Sequence, residues 1–186
     1  MRSIARGVLS LCGWRADLAW PPVEKCILLV YPHTSNWDFF YGYFAKLAIG
    51  LPTYWIAKDS LFRWPVAGLL RWMGGIPVNR REPTGAVRQL AREFERRSRF
   101  WVAITPEGTR SYTARWKSGF YRLALAANVP VGLAFIDYSA RVVGLTTYLT
   151  LTGDEEADLE RIREAYAGKV ARRPEAAGAI RFRGGA

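Results

Sequence analysis

The chain has 186 residues, half of them apolar and 23% charged, a composition that fits one globular domain with a sizeable core and excludes a disordered chain. Lys and Arg number 27 against 16 Asp and Glu, a formal net charge of +11; this favours an anionic partner (nucleic acid, an acidic lipid surface or a phosphorylated substrate) without choosing among them. Cys12 and Cys26 are the only cysteines, too few for a disulfide framework or a metal-ligand spacing, and they fit a reducing compartment.

The opening residues 1–22 place Ile4, Val8 and Leu11 at helical spacing, with Arg2 and Arg6 on another face; this predicts an amphipathic helix at a membrane surface. No apolar run reaches about 18 residues, so no spanning helix is expected, and the start lacks the long apolar stretch of a signal peptide. "CILLVY" (26–31) reads as a strand buried on both faces, followed at once by the polar turn "PHTSNWD" and a helix over 37–49. "TYWIA" (53–57) is the next strand. "DSLFRWPVAGLLRWMG" reads as a helix that Pro65 kinks or restarts, and "GIPV" (75–78) as a short strand. Thr84 is the expected cap of a helix with the stripe Val87, Leu90, Ala91 and Phe94.

"FWVAI" (100–104) is again a strand, with "TPEGTRS" directly after it. Then come a helix in "KSGFYRLALAAN", strands in "VPVGLAFIDY" and "RVVGLTTYLTL", and a helix in "DEEADLERIREAYA" whose first-turn acids suit the helix dipole. From about 169 to 186 the chain is rich in Gly, Ala and Arg and is expected to be a flexible tail. With no repeat or low-complexity linker, residues 1–186 read as a single domain. The alternation predicts an α/β fold, a mainly parallel sheet with helices on both faces. Polar clusters at His33, Arg80 and Glu107 each fall just after a strand, so they can meet at one edge of the sheet.

His33 is the only histidine and the natural proton acceptor near neutral pH. Asp38 lies five positions on, off the same helical face, so the pair works only across a turn, and Pro32, Thr34, Ser35 and Asn36 supply turn and cap chemistry. A carboxylate on one ring nitrogen fixes the tautomer and leaves the other nitrogen free to take a proton from a hydroxyl. One histidine with no cysteine cluster argues against a transition-metal site. Without a G-x-S-x-G elbow, Ser35 is a poor nucleophile. Arg80 and Arg110 offer guanidinium forks suited to phosphate oxygens, and Gly108 lets a ligand approach the backbone.

Together these clusters resemble the glycerophospholipid acyltransferases, specifically the 1-acylglycerol-3-phosphate acyltransferase-like group. His33 and Asp38 match its H-x4-D block. "KDSLFRWPVAGLLRWMGGIPVNR", with Lys58, Pro65, Gly75 and Arg80, is similar to its second block; "TPEGTRS", with Glu107, Gly108, Thr109 and Arg110, to its third; and "NVPVGLAFI", centred on Pro130, to its fourth. The four blocks stand in the family's order between about residues 26 and 137. Pro32 stands where relatives often carry Asn, and Asn79 where Asp is common.

The resemblance implies a glycerol-3-phosphate acyltransferase-like fold and an O-acyltransferase with His33 and Asp38 as catalytic residues. It implies Arg80 and Arg110 as phosphate contacts, and Glu107, Gly108 and Thr109 at the acceptor or ordering the site. The acceptor hydroxyl of a lysophospholipid such as lysophosphatidic acid would attack the thioester of acyl-CoA or acyl carrier protein directly, with no bound cofactor and no metal. The chain resembles a soluble-length bacterial branch without an N-terminal transmembrane anchor. Such an enzyme is expected in the cytoplasm, peripheral on the inner face of the cell membrane, touching its anionic surface through the N-terminal helix or through 61–72. Two other readings stand beside it: an acyl thioesterase, and a basic nucleic-acid-binding domain, which gives the H-x4-D and EGTR blocks no role.

Overall fold

The computed structural model describes residues 1–79 and 81–182. Helix α1 (Arg2–Leu11) and the short strand β1 (Arg15–Asp17) precede β2 (Lys25–Val30), α2 (Asn36–Ile49) and β3 (Tyr54–Lys58). Then follow α3 (Ala67–Trp72), β4 (Gly75–Val78), α4 (Pro83–Arg96), β5 (Phe100–Ile104) and α5 (Gly119–Ala127). The hairpin strands β6 (Val131–Asp137) and β7 (Val142–Leu149) and helix α6 (Glu155–Tyr166) complete the set.

The strands form one seven-stranded sheet in the order β1-β7-β6-β2-β5-β3-β4. Every pairing is parallel except β6 with β7, as the alternating pattern predicts. β2 lies between β5 and β6 and is covered on both faces, which is why its sequence is a continuous apolar run rather than an alternating one. Ile27 and Leu29 point into a core with Phe100, Leu123, Leu133 and Ile162. Cys26 and Leu28 point the other way, toward Leu51 and Trp101. Each such fully buried Leu, Ile or Phe contributes about 1.5–3 kcal/mol.

The chain leaves β2 for β3 on one side and leaves β5 for β6 on the other. The carboxyl ends of β2 and β5 therefore flank a topological switch point, where open α/β sheets bind ligands.

Of four local features, two differ from the sequence reading: the start of α4 and the packed C-terminal segment. In α1 the buried residues are Ala5 and Leu9, while Ile4 and Leu11 are exposed; small Ala5 lets α1 lie close to α2, and the larger apolar residues are left outside. Helix α4 starts at Pro83 with Glu82 before it and no side-chain cap, so Thr84 lies inside the first turn; a proline there loses nothing, because that N–H has no helical partner. The segment breaks at Pro65, as the sequence reading allows: a 3-10 turn (Asp59–Leu61) precedes it and the short α3 starts beyond it. The C-terminal segment, expected to be a flexible tail, packs as far as it is described. Ala171 and Phe182 are buried, and Phe182 meets the rings of Phe120 and Tyr121.

Candidate active site

The loop after β2 turns sharply into α2, and a single carboxylate organises it. Ser35 is the N-cap of α2, and its Oγ accepts from the Trp37 N–H. Asp38 Oδ2 accepts from the backbone N–H groups of Thr34 and Ser35, both at 2.8 Å. This is a capping box, with an Asp in place of the usual Glu or Gln. It explains how residues five apart, on different helical faces, come together: Asp38 reaches back from the first turn while the chain before Ser35 folds over it. His33 Nδ1 then lies 3.2 Å from Asp38 Oδ2. The contact is not a well-aligned hydrogen bond. The His33 side chain is 15% exposed, so part of the ring is open to solvent.

Asp38 is 2% exposed. Burial pushes its carboxyl up, but the close His33 ring, the Tyr138 hydroxyl and the Ser35 N–H outweigh it, and the net shift is downward. Its second oxygen, Oδ1, accepts from the Tyr138 hydroxyl at 2.6 Å. Burial and the Asp38 carboxylate in turn raise Tyr138 far above the ordinary range, so it stays a donor.

Glu107, after β5, is also 2% exposed. Its Oε2 accepts from the His33 N–H at 2.9 Å and its Oε1 from the Gly178 N–H at 2.8 Å. Burial raises its carboxyl, only partly offset by those two N–H groups and the nearby His33. Glu107 thus ties the histidine's backbone to the C-terminal segment.

That segment is a strap across the carboxyl edge of the sheet. Tyr138 N–H donates to Val170 C=O, Arg173 N–H to Thr34 Oγ1, and Tyr31 Oη to Gly178 C=O. Trp116 N–H donates to Arg181 C=O. At Gly178 a Cβ would stand 2.5 Å from Thr113 C=O, so only glycine fits. A cavity of about 260 Å³ opens between the strap and the start of α2, with Arg110, Arg172 and Arg173 in its wall. Among the described residues no group of three His, Cys, Asp or Glu side chains is placed to hold a metal ion.

A family model described as Acyltransferase matches residues 20–132. The chain belongs to the Acyltransferase family. Its fold is similar to the crystal structure of the 1-acyl-sn-glycerophosphate (LPA) acyltransferase, PlsC, from Thermotoga maritima, with a TM-score of 0.61 and 17% identity over 88% of this chain and 73% of that one. No curated protein matches the chain.

In this acyltransferase His33, Asp38 and Glu107 gather at the carboxyl ends of β2 and β5. Arg110 reaches the cavity wall. Gly108 adopts φ +65°, and a Cβ there would strike the Lys117 side chain, so its glycine is required by the turn. Thr109 Oγ1 accepts from Ser111 N–H, which stabilises the turn carrying Arg110. The Glu107 carboxylate faces backbone N–H groups rather than the cavity. Arg80 lies outside the described residues. Sequence reasoning missed Tyr138 and the strap. Tyr138 carried the same signal as the other clusters, a polar residue just past a buried strand. The strap's signal was fainter: Ala171, Ile180 and Phe182, spaced among Gly and Arg.

Proposed function

We propose that this acyltransferase moves a fatty acyl group from acyl-CoA or acyl carrier protein to the free hydroxyl of lysophosphatidic acid or a related lysophospholipid. The observation that carries this reading is His33 beside the buried Asp38 carboxylate, 3.2 Å away, at the switch point of the sheet and next to an arginine-lined cavity. The Thermotoga maritima neighbour, a 1-acyl-sn-glycerophosphate acyltransferase, agrees with it.

With Asp38 at Nδ1, the imidazole is held in the tautomer that leaves Nε2 as acceptor. The acceptor hydroxyl gives its proton to Nε2 as its oxygen attacks the thioester carbonyl carbon. The tetrahedral intermediate collapses by breaking the C–S bond. The leaving sulfur takes the proton back from the imidazolium, so the products are an ester and a free thiol. Asp38 stays ionised and stabilises the imidazolium between the two transfers. Glu107 orders His33 through its backbone, and Arg110 offers its guanidinium to a substrate phosphate.

Both substrates are amphiphiles, and a second feature supports work at a bilayer. Leu61, Trp64, Val66, Leu69 and Trp72 are all exposed, Trp64 to 92% and Trp72 to 73%, with Arg63 and Arg71 exposed among them. Among the described residues no helix is long and apolar enough to cross a membrane. Trp with Arg suits the interface of an anionic membrane, and the inner face of the cell membrane is the proposed site of action.

Acyl transfer from a panel of acyl-CoA and acyl carrier protein donors to lysophosphatidic acid and other lysolipids tests the reaction class. Acceptor-dependent ester formation is the expected result. Release of free fatty acid independent of acceptor would make the protein a thioesterase instead. Sequence-selective DNA or RNA binding that survives high salt, with no transfer, would favour the nucleic-acid reading.

A further inference from the structure

We propose that Arg172 and Arg173, carried by the C-terminal strap, form with Arg110 a phosphate-binding site beside His33. Both lie beyond the family-matched residues 20–132, and the inference deepens the acyltransferase reading by naming what holds the phosphate of its substrate.

Three arginines from two distant stretches of chain line one cavity of about 260 Å³. Among the described residues none of them has a carboxylate within 4.0 Å, although the chain pairs Arg97, Arg99, Arg161 and Arg163 in this way. Like charges do not converge without cost, and an anion between them relieves it. The opposite wall is residues 34–37, the start of the 14-residue α2, whose positive dipole end adds to the same field. That wall begins one residue after His33.

The strap also fixes where the two side chains begin. Arg173 is anchored through its own backbone to Thr34 Oγ1 at 3.2 Å. The Arg172 guanidinium lies over the rings of Trp37 and Tyr138, 5.5 and 5.9 Å from their centroids, so it is partly ordered before any ligand arrives. A guanidinium binds a phosphate through paired N–H donors, which an ammonium lacks.

The phosphate has two sources in this reaction, the lysophospholipid headgroup and the phosphates of coenzyme A. Calorimetric titration of the full chain with glycerol 3-phosphate, and separately with coenzyme A, distinguishes them and does not depend on turnover. Wild type is compared with the Arg172→Ala/Arg173→Ala double variant and with Arg172→Lys/Arg173→Lys. Both side chains are exposed, and the hydrogen bond to Thr34 comes from the backbone, so circular dichroism and melting are expected to match wild type. The expected result is dissociation constants weakened roughly tenfold or more for one probe in the alanine variant, with the lysine variant between; the probe affected identifies the source. Equal binding of both probes by wild type and the alanine variant overturns the proposal, as does a wild type that binds neither. Phosphate binding lost in the variant, in a protein with no acyl transfer, would sink the acyltransferase reading and leave this site standing.

Discussion

The turn at His33 and the segment from Leu61 to Trp72 treat their side chains in opposite ways. At the turn, charged groups are buried and satisfied: Asp38 accepts from two backbone N–H groups and a tyrosine hydroxyl, and Glu107 from two further N–H groups. In the 61–72 segment, Leu61, Trp64, Val66, Leu69 and Trp72 stand exposed to solvent. Each arrangement runs against ordinary folding preference. Under the proposed function, the buried carboxylates hold the reactive histidine in place and the exposed tryptophans serve a surface outside the protein.

The comparison breaks first at Asp38. Asp38→Asn removes the charge that stabilises the imidazolium and disturbs the tautomer, and kcat is expected to fall by about a thousandfold. The same substitution separates chemistry from stability. The folded protein holds Asp38 below its ordinary value, so its stabilising contribution is present above that value and is lost as pH falls through the lowered one. Melting temperature in wild type is therefore expected to drop below about pH 4, and the part of that drop due to Asp38 is expected to vanish in the variant.

Glu107→Gln is expected to have the next largest effect. An amide oxygen accepts one of the two buried N–H groups and its NH2 confronts the other, which costs roughly 1–3 kcal/mol. Denaturant unfolding measures this, and unchanged stability would remove Glu107 from its place between His33 and the strap. Tyr138→Phe is gentler. It deletes one donor to Asp38 and is expected to lower kcat about tenfold, near the net worth of a hydrogen bond to a charge. Its melting temperature is expected to change little, since Asp38 keeps its backbone donors.

At the other region, Trp64→Ser with Trp72→Ser is expected to weaken sedimentation with anionic vesicles several-fold while leaving turnover of a short-chain, water-soluble acceptor intact. Vesicle binding equal to wild type would return both tryptophans to the status of incidental surface residues.

Much of this was legible in the sequence because the signals were local. β2, β4 and β5 announce themselves as short apolar runs, and His33, Asp38 and Glu107 directly follow such runs. The capping residues around Ser35 showed that a turn, not a helical face, joins His33 to Asp38. What could not be read was set by long-range packing. Tyr138 meets Asp38 across 100 residues because β6 inserts beside β2. The strap's Gly178 meets Glu107 across 71.

The central claim is that His33 takes the acceptor's proton. The direct test is acyl transfer to the best lysolipid acceptor by His33→Ala beside wild type, with both shown to be folded. The expected result is a loss of about a hundred- to ten-thousand-fold in kcat with the protein intact. Transfer at a rate close to wild type would contradict the claim and require another base.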